Sequence, residues 1–168
     1  SEHPYELDDY IAELSISEKS SLAGKPLVEV DNACKEAGIS LLGVIREQQR
    51  LPHAAGWIKL QAGDVLLLET AADKLDDFVS EHDLDYVDKE RHQTDIDDAE
   101  LELMEVVIRP GSIMETRSGA SLKLVDRFGV WLIGISRQGR RMQTRVRRTS
   151  LLGGDVLLLL MPRERAAE

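Results

Sequence analysis

The sequence predicts an α+β fold made of two repeated small β-α-β-β-β lobes. Three observations carry this: a 32-residue stretch that recurs after 91 positions, strand-length apolar runs each opened by Gly-Asp, and helically spaced small apolar residues before each recurrence. Gly38–Glu69 overlies Gly129–Leu160 without a gap and with 12 identities. Among them are Gly38/Gly129, Gly43/Gly134, Arg46/Arg137, Arg50/Arg141 and the block Gly63–Leu68 against Gly154–Leu159. Composition bias accounts for stray leucine matches, but not for glycines and arginines held at fixed offsets.

Each lobe starts with a strand, "DDYIAELSI" in the first and "AELELMEVVI" in the second. A helix follows. In "PLVEVDNACKEAG" the residues Val30, Ala33, Cys34 and Ala37 fall on one helical face; Pro26 suits the start and Gly38 the position just past the end. In "SGASLKLVDRFG" the corresponding inward residues are Leu124, Val125 and Phe128, closed by Gly129. The strands "ISLLGVIRE" and "VWLIGISRQG" then turn polar at an arginine, as a strand does on leaving a core. A polar hairpin region leads to the Gly-Asp turn, where glycine supplies positive φ and the aspartate accepts from turn N–H groups. The last strand of each lobe is a nearly unbroken leucine run. Between the lobes, Leu75, Phe78 and Val79 mark a short amphipathic helix, and the acidic stretch after it reads as linker. The expected domains are 8–82 and 99–164, joined by an acidic linker over 83–98.

Several function classes are excluded by composition. No apolar run approaches the roughly 18 residues of a membrane helix. The lone cysteine, Cys34, allows neither an internal disulfide nor a cysteine-based zinc cluster. The chain opens on "SEHPYELDDY" without a methionine, as a segment of a longer protein would. The net charge of −10 conceals an asymmetry: residues 1–98 hold 23 acidic and 9 basic side chains, residues 99–168 hold 8 and 12. An acidic whole with few aromatics is a poor nucleic-acid binder, while its second half can attract a smaller anion. His3, His53, His82 and His92 lack metal-ligand spacing, and no nucleophile elbow or phosphate-binding loop is present. No enzyme activity is expected.

The motifs "GISLLGVIRE" with "LQAGDVLLLET", and "GVWLIGISRQGRR" with "LLGGDVLLLL", resemble the TrkA-C domain, the C-terminal regulatory domain of potassium-conductance regulators (RCK). The tandem pair is most similar to the cytoplasmic insert of bacterial permeases of the divalent-anion/sodium symporter family. That resemblance implies the cytoplasmic part of an inner-membrane transporter, a transmembrane portion as partner, a homodimer, and a ligand-sensing role without turnover. It leaves two alternatives open: a purely structural dimerisation module, or a free-standing potassium-uptake subunit. The helix entries of the two lobes differ, "SSLAGKPLVEV" against "IRPGSIMETRSGASLKLV".

The candidate site is the arginine run "RQGRRMQTRVRR": Arg137, Arg140, Arg141, Arg145, Arg147 and Arg148, with Arg46 and Arg50 at the matching places of the first lobe. Guanidinium forks suit phosphate and carboxylate oxygens, so the ligand expected here is a nucleotide or another small anion. A solvated hairpin, or a basic face docking on a protein, is the competing reading of the same residues.

Overall fold

The structure, a computed structural model, describes residues 9–52, 55–86, 101–138 and 145–163. The chain divides into two compact units, Ala12–His92 and a second made of Ser1–Ile11 with Gln93–Glu168.

The first unit is entered at Ala12 within β1 (Tyr10–Ile16), whose residues are buried almost throughout. Helix α1 (Leu27–Glu36) starts after Pro26, whose fixed φ of −66° is preset for a helix entry, and ends before Gly38 at φ +75°. It buries Val30 and Cys34. β2 (Ser40–Arg46) turns through Glu47 and Gln48 into β3 (Gln49–Arg50). Both turn residues have positive φ, 51° and 68°, the combination that matches hairpin twist. β4 (Val65–Thr70) pairs antiparallel with β2 and carries the fully buried Leu66 and Leu68. The strand order in this unit is β3-β2-β4-β1. After β4, α2 (Ala72–His82) buries Leu75 and Phe78, as the spacing predicts. His82 is its last residue.

The second unit has the order β7-β8-β6, from β6 (Leu101–Val107), β7 (Trp131–Ser136) and β8 (Val156–Pro162). β8 is antiparallel to both neighbours. In both units the strand after the helix slips register, between Leu41 and Gly43 in β2 and between Leu132 and Gly134 in β7. That is why glycines recur there: a strand that bulges favours a residue without a side chain. At Gly43 a Cβ would also sit 2.6 Å from the Arg50 guanidinium.

Two local expectations differ from the structure. Leu84 and Asp85, which composition assigns to the linker, form β5 and pair with Ile16 and Ser15 of β1. Leu84 is an aliphatic side chain within an acidic stretch, and it is buried where the strand pairs, with Ser17 Oγ donating to the Asp83 carbonyl just before it. The helix expected over "SGASLKLVDRFG" is two short ones, α3 (Gly119–Leu122) and α4 (Leu124–Phe128), broken at Lys123 with φ 52°. The break resets the helical face. Leu122 and Leu124 are buried, but Phe128 is 47% exposed with the Arg127 guanidinium 5.3 Å above its ring.

Cys34 is fully buried on α1, and loss of solvation pushes its thiol up to about 12 from 9.0. Protein unfolded between those values ionises while folded protein does not, so this group's contribution to stability declines as pH rises through that window. At pH 8 a thiol reagent should label Cys34 about a thousandfold or more slower in native chain than in guanidinium-unfolded chain. Equal rates would show that α1 does not pack as described.

Candidate functional site

The Gly-Asp pairs that recur in the sequence are each the hub of the same small network. In the first unit Gly63 takes φ +93°, and a Cβ built on it meets nothing within 4 Å. Glycine is therefore required there for its backbone angle and not for space. Its N–H donates to the Ile16 carbonyl (2.8 Å), and the Ile16 N–H donates to the Asp64 carbonyl (2.9 Å), which stitches the turn to the end of β1. Asp64, 2% exposed, accepts the Gln61 N–H at Oδ2 (2.8 Å). Arg46, at the end of β2, completes the site. Its Nε donates to Oδ1 at 2.9 Å and a terminal nitrogen to Oδ2 at 2.8 Å. The same terminal nitrogen also donates to the Lys59 carbonyl (2.9 Å).

The second unit repeats the network residue for residue. Gly154 has φ +91°; its N–H donates to the Ile108 carbonyl (2.8 Å), and the Ile108 N–H to the Asp155 carbonyl (2.9 Å). Asp155 accepts the Leu152 N–H (2.8 Å) and the Arg137 fork at 2.8 and 2.7 Å, while Arg137 also donates to the Ser150 carbonyl (2.7 Å). Hydrogen bonding to the carboxylate is the leading cause that raises both guanidinium groups above their already high ordinary values.

A further shared contact lies beside each hub. Gly24 and Leu60 exchange bonds through Gly24 N–H to the Leu60 carbonyl and Leu60 N–H to the Lys25 carbonyl. Thr116, Arg117 and Leu151 do the same in the second unit. Gly24 sits at φ +82° and Thr116 at +66°. The divergent helix entries thus reach one backbone geometry with different residues.

The predicted arginines separate into groups. Arg46 and Arg137 face inward onto the aspartates. Arg50 lies across Gly43 and donates to the Leu42 carbonyl. Arg145 and Arg147 are half-buried beside a 3-10 turn over Val146–Arg148, and Arg148 is exposed. Arg140 and Arg141 lie outside the described residues, as do His3, His53 and His92. The structure does not bring Arg46 and the second-unit arginines together within one unit. Sequence reading misses the Arg–Asp partnership, although both members recur at the 91-residue offset and stand 18 residues apart in each copy. Among the described residues no group of three or more His, Cys, Asp or Glu side chains is placed to hold a metal ion.

Two concavities lie within the first unit. One, of about 560 Å³, is bounded by the turn after β1, the Gly63 turn and the end of α2. The other, of about 220 Å³, runs between α1 and β2 and is lined by Leu27, Val28, Leu41, Leu51 and Pro52. Next to it Val28 is 51% and Trp57 77% exposed.

The Arg–Asp network generates a sharp expectation. With Arg46 25% exposed and Asp64 at 3%, removing the arginine strands a buried carboxylate. Arg46→Ala should lower unfolding free energy by about 3 kcal/mol, at the low end for a broken buried pair. Asp64→Ala should cost a similar amount, and the double variant should lose less than the two combined, by about 1–3 kcal/mol. Urea unfolding of the four proteins measures this, and additivity would show that the pair is not coupled.

Residues 11–82 match the family model of the TrkA-C domain. The chain is 26% identical over 167 residues to "Uncharacterized transporter sll0640" of Synechocystis; the match covers 95% of this chain and 27% of the relative, so the chain spans about a quarter of that protein. Among solved structures, the GsuK RCK domain aligns over 96% of this chain and 62% of its own at 11% identity and a TM-score of 0.39. S. agalactiae BusR, solved in complex with its busAB-promotor DNA, aligns over 48% of this chain and 38% of its own at 20% identity and a TM-score of 0.36. The segment that holds α1, the Gly63–Asp64 turn, its Arg46 clamp and α2 is the part of the chain that resembles the TrkA-C domain.

Proposed function

We propose that the chain is the cytosolic, ligand-sensing regulatory module of a membrane ion transporter. The observation that carries this reading is the TrkA-C match over residues 11–82, within a chain that aligns for 95% of its length to part of a transporter. On this reading the second unit is a second TrkA-C-like domain, because it repeats the Gly-Asp-Arg network of the first. The two domains, near 8–82 and 99–164, lie on the cytoplasmic side of an inner-membrane transporter of the anion/sodium symporter type. They bind and transmit, without turnover.

The ligand is a small anion, a nucleotide being the leading candidate, and its contacts come from the arginine run beyond Arg137. Arg46 and Arg137 then serve as supports, while Arg140, Arg141, Arg145 and Arg147 are the contacts. Nucleic acid is not a partner on this reading, since stacking aromatics are missing from the basic stretch. Pairing of two chains is proposed through the first unit, where Val28 and Trp57 leave apolar surface beside the α1–β2 groove. The same observation favours the second reading, a dimerisation module that takes no ligand.

Thermal unfolding against a panel of nucleotides and simple anions separates the two readings. A ligand at 100 times its Kd adds about 2.7 kcal/mol of stability, which raises Tm by several degrees. Arg140→Ala with Arg141→Ala should remove that shift. No shift with any member, in a chain that sediments as a dimer, would favour the structural reading.

A further inference from the structure

The loop between β6 and α3 in the second unit is firmly held, yet it presents an aliphatic side chain to water. Its start is fixed by the Gly154 N–H on the Ile108 carbonyl, and its end by the exchange between Thr116, Arg117 and Leu151. Pro110 packs against Gly153, where a Cβ would come within 2.9 Å of the Pro110 Cα. Glu115, the loop's own acid, is turned inward and accepts the Gly111 N–H (3.1 Å). At the tip of this anchored loop Ile113 is 85% exposed, and Leu152, from the segment bonded to it, is 37% exposed. Nothing in the loop's own folding calls for an isoleucine there.

The charge along the chain around the tip is mainly positive. Residues 109–155 hold ten basic side chains and three acids, Glu115, Asp126 and Asp155. Arg117 is exposed at the end of the loop, and Arg148 is exposed three residues before Leu151. We infer that this Ile113-tipped, arginine-flanked face of the second unit docks on an anionic phospholipid surface. The apolar part is one side chain, 85% exposed on a loop, which suits insertion at the headgroup boundary better than burial against a folded protein. The flanking guanidinium groups match lipid phosphates in geometry and sign. The inference goes beyond ligand sensing and does not depend on it.

Sedimentation of the 168-residue chain with vesicles tests it, using neutral phosphatidylcholine and the same lipid with about a third phosphatidylglycerol. Binding is expected to the anionic vesicles only, and should fall as salt is raised from roughly 0.1 to 0.5 M. Arg117→Ala and Arg148→Ala should each weaken it about fivefold, the effect of one basic charge near such a surface. Ile113→Ser removes an exposed side chain, so the fold survives, and vesicle binding should drop while any thermal shift given by a soluble anion stays. Absence of binding to anionic vesicles overturns the inference. So does binding unaffected by Ile113→Ser, or equal affinity for polyglutamate, which would point to an acidic protein. A thermal shift with inorganic phosphate that Arg117→Ala and Arg148→Ala abolish, in a chain that ignores vesicles, would assign these arginines to a free anion and overturn it too.

Discussion

The fold depends on two buried carboxylates, Asp64 and Asp155, each 2% exposed at the mouth of a leucine strand. A carboxylate in that position is unfavourable unless its charge and lone pairs are matched. Both oxygens are engaged by one arginine fork, and one of them also takes a backbone N–H. The requirement reaches outward. The fork fixes the end of β2, its bond to the Lys59 carbonyl fixes the chain before the turn, and the turn glycine fixes the end of β1. One ion pair thereby sets the register at which β4 enters the core, and the Arg137 clamp does the same for β8. A leucine run such as Val65–Leu68 has little register information of its own, because every residue is buried and a slip by one would look alike to it. The polar hub supplies what the apolar strand lacks.

Much of this architecture is legible in the sequence. The strands β1, β2, β4, β6, β7 and β8, α1, α2, the glycines of the Gly-Asp turns and the role of the aspartates as acceptors for turn N–H groups all follow from period, punctuation and repetition. The arginines are legible as important but not in their role. Arg46 and Arg137 look like ligand contacts because a guanidinium at a strand end suits an external anion as well as an internal one. Choosing between them needs the distance across a hairpin, which spacing along the chain does not give. The break at Lys123 is hidden for a different reason. A left-handed lysine has no compositional mark, and without the break Phe128 falls on the inner face. Leu84 is obscured by its neighbours, since acidic composition averages over the one side chain that pairs.

Repetition also sharpens what an arginine count means. The sequence offers a dense basic run, but its first member is taken up by a buried acid. Potential for external binding belongs to side chains whose charge faces water, such as Arg148 at the surface. The clamp keeps a second purpose even so, because Arg137 also donates to the Ser150 carbonyl and so ties the end of β7 to the segment that carries Arg148.

Where the two units differ is as informative as where they agree. The exchange of backbone bonds with Leu60 and Leu151 is the same, yet Gly24 serves in one and Thr116 in the other. An L-residue in the left-handed region is strained, so Thr116 costs stability that Gly24 does not. The second unit accepts that strain over an entry of nearly the same length, and its helix shrinks to two short pieces in place of the ten-residue α1. What the first unit gains from its continuous helix is an apolar groove beside Val28 and Trp57. What the second has in its differently composed entry is the exposed Ile113. The hub is the same in both units, while the apolar side chains left exposed near the helix differ: Val28 and Trp57 in the first, Ile113 and Phe128 in the second.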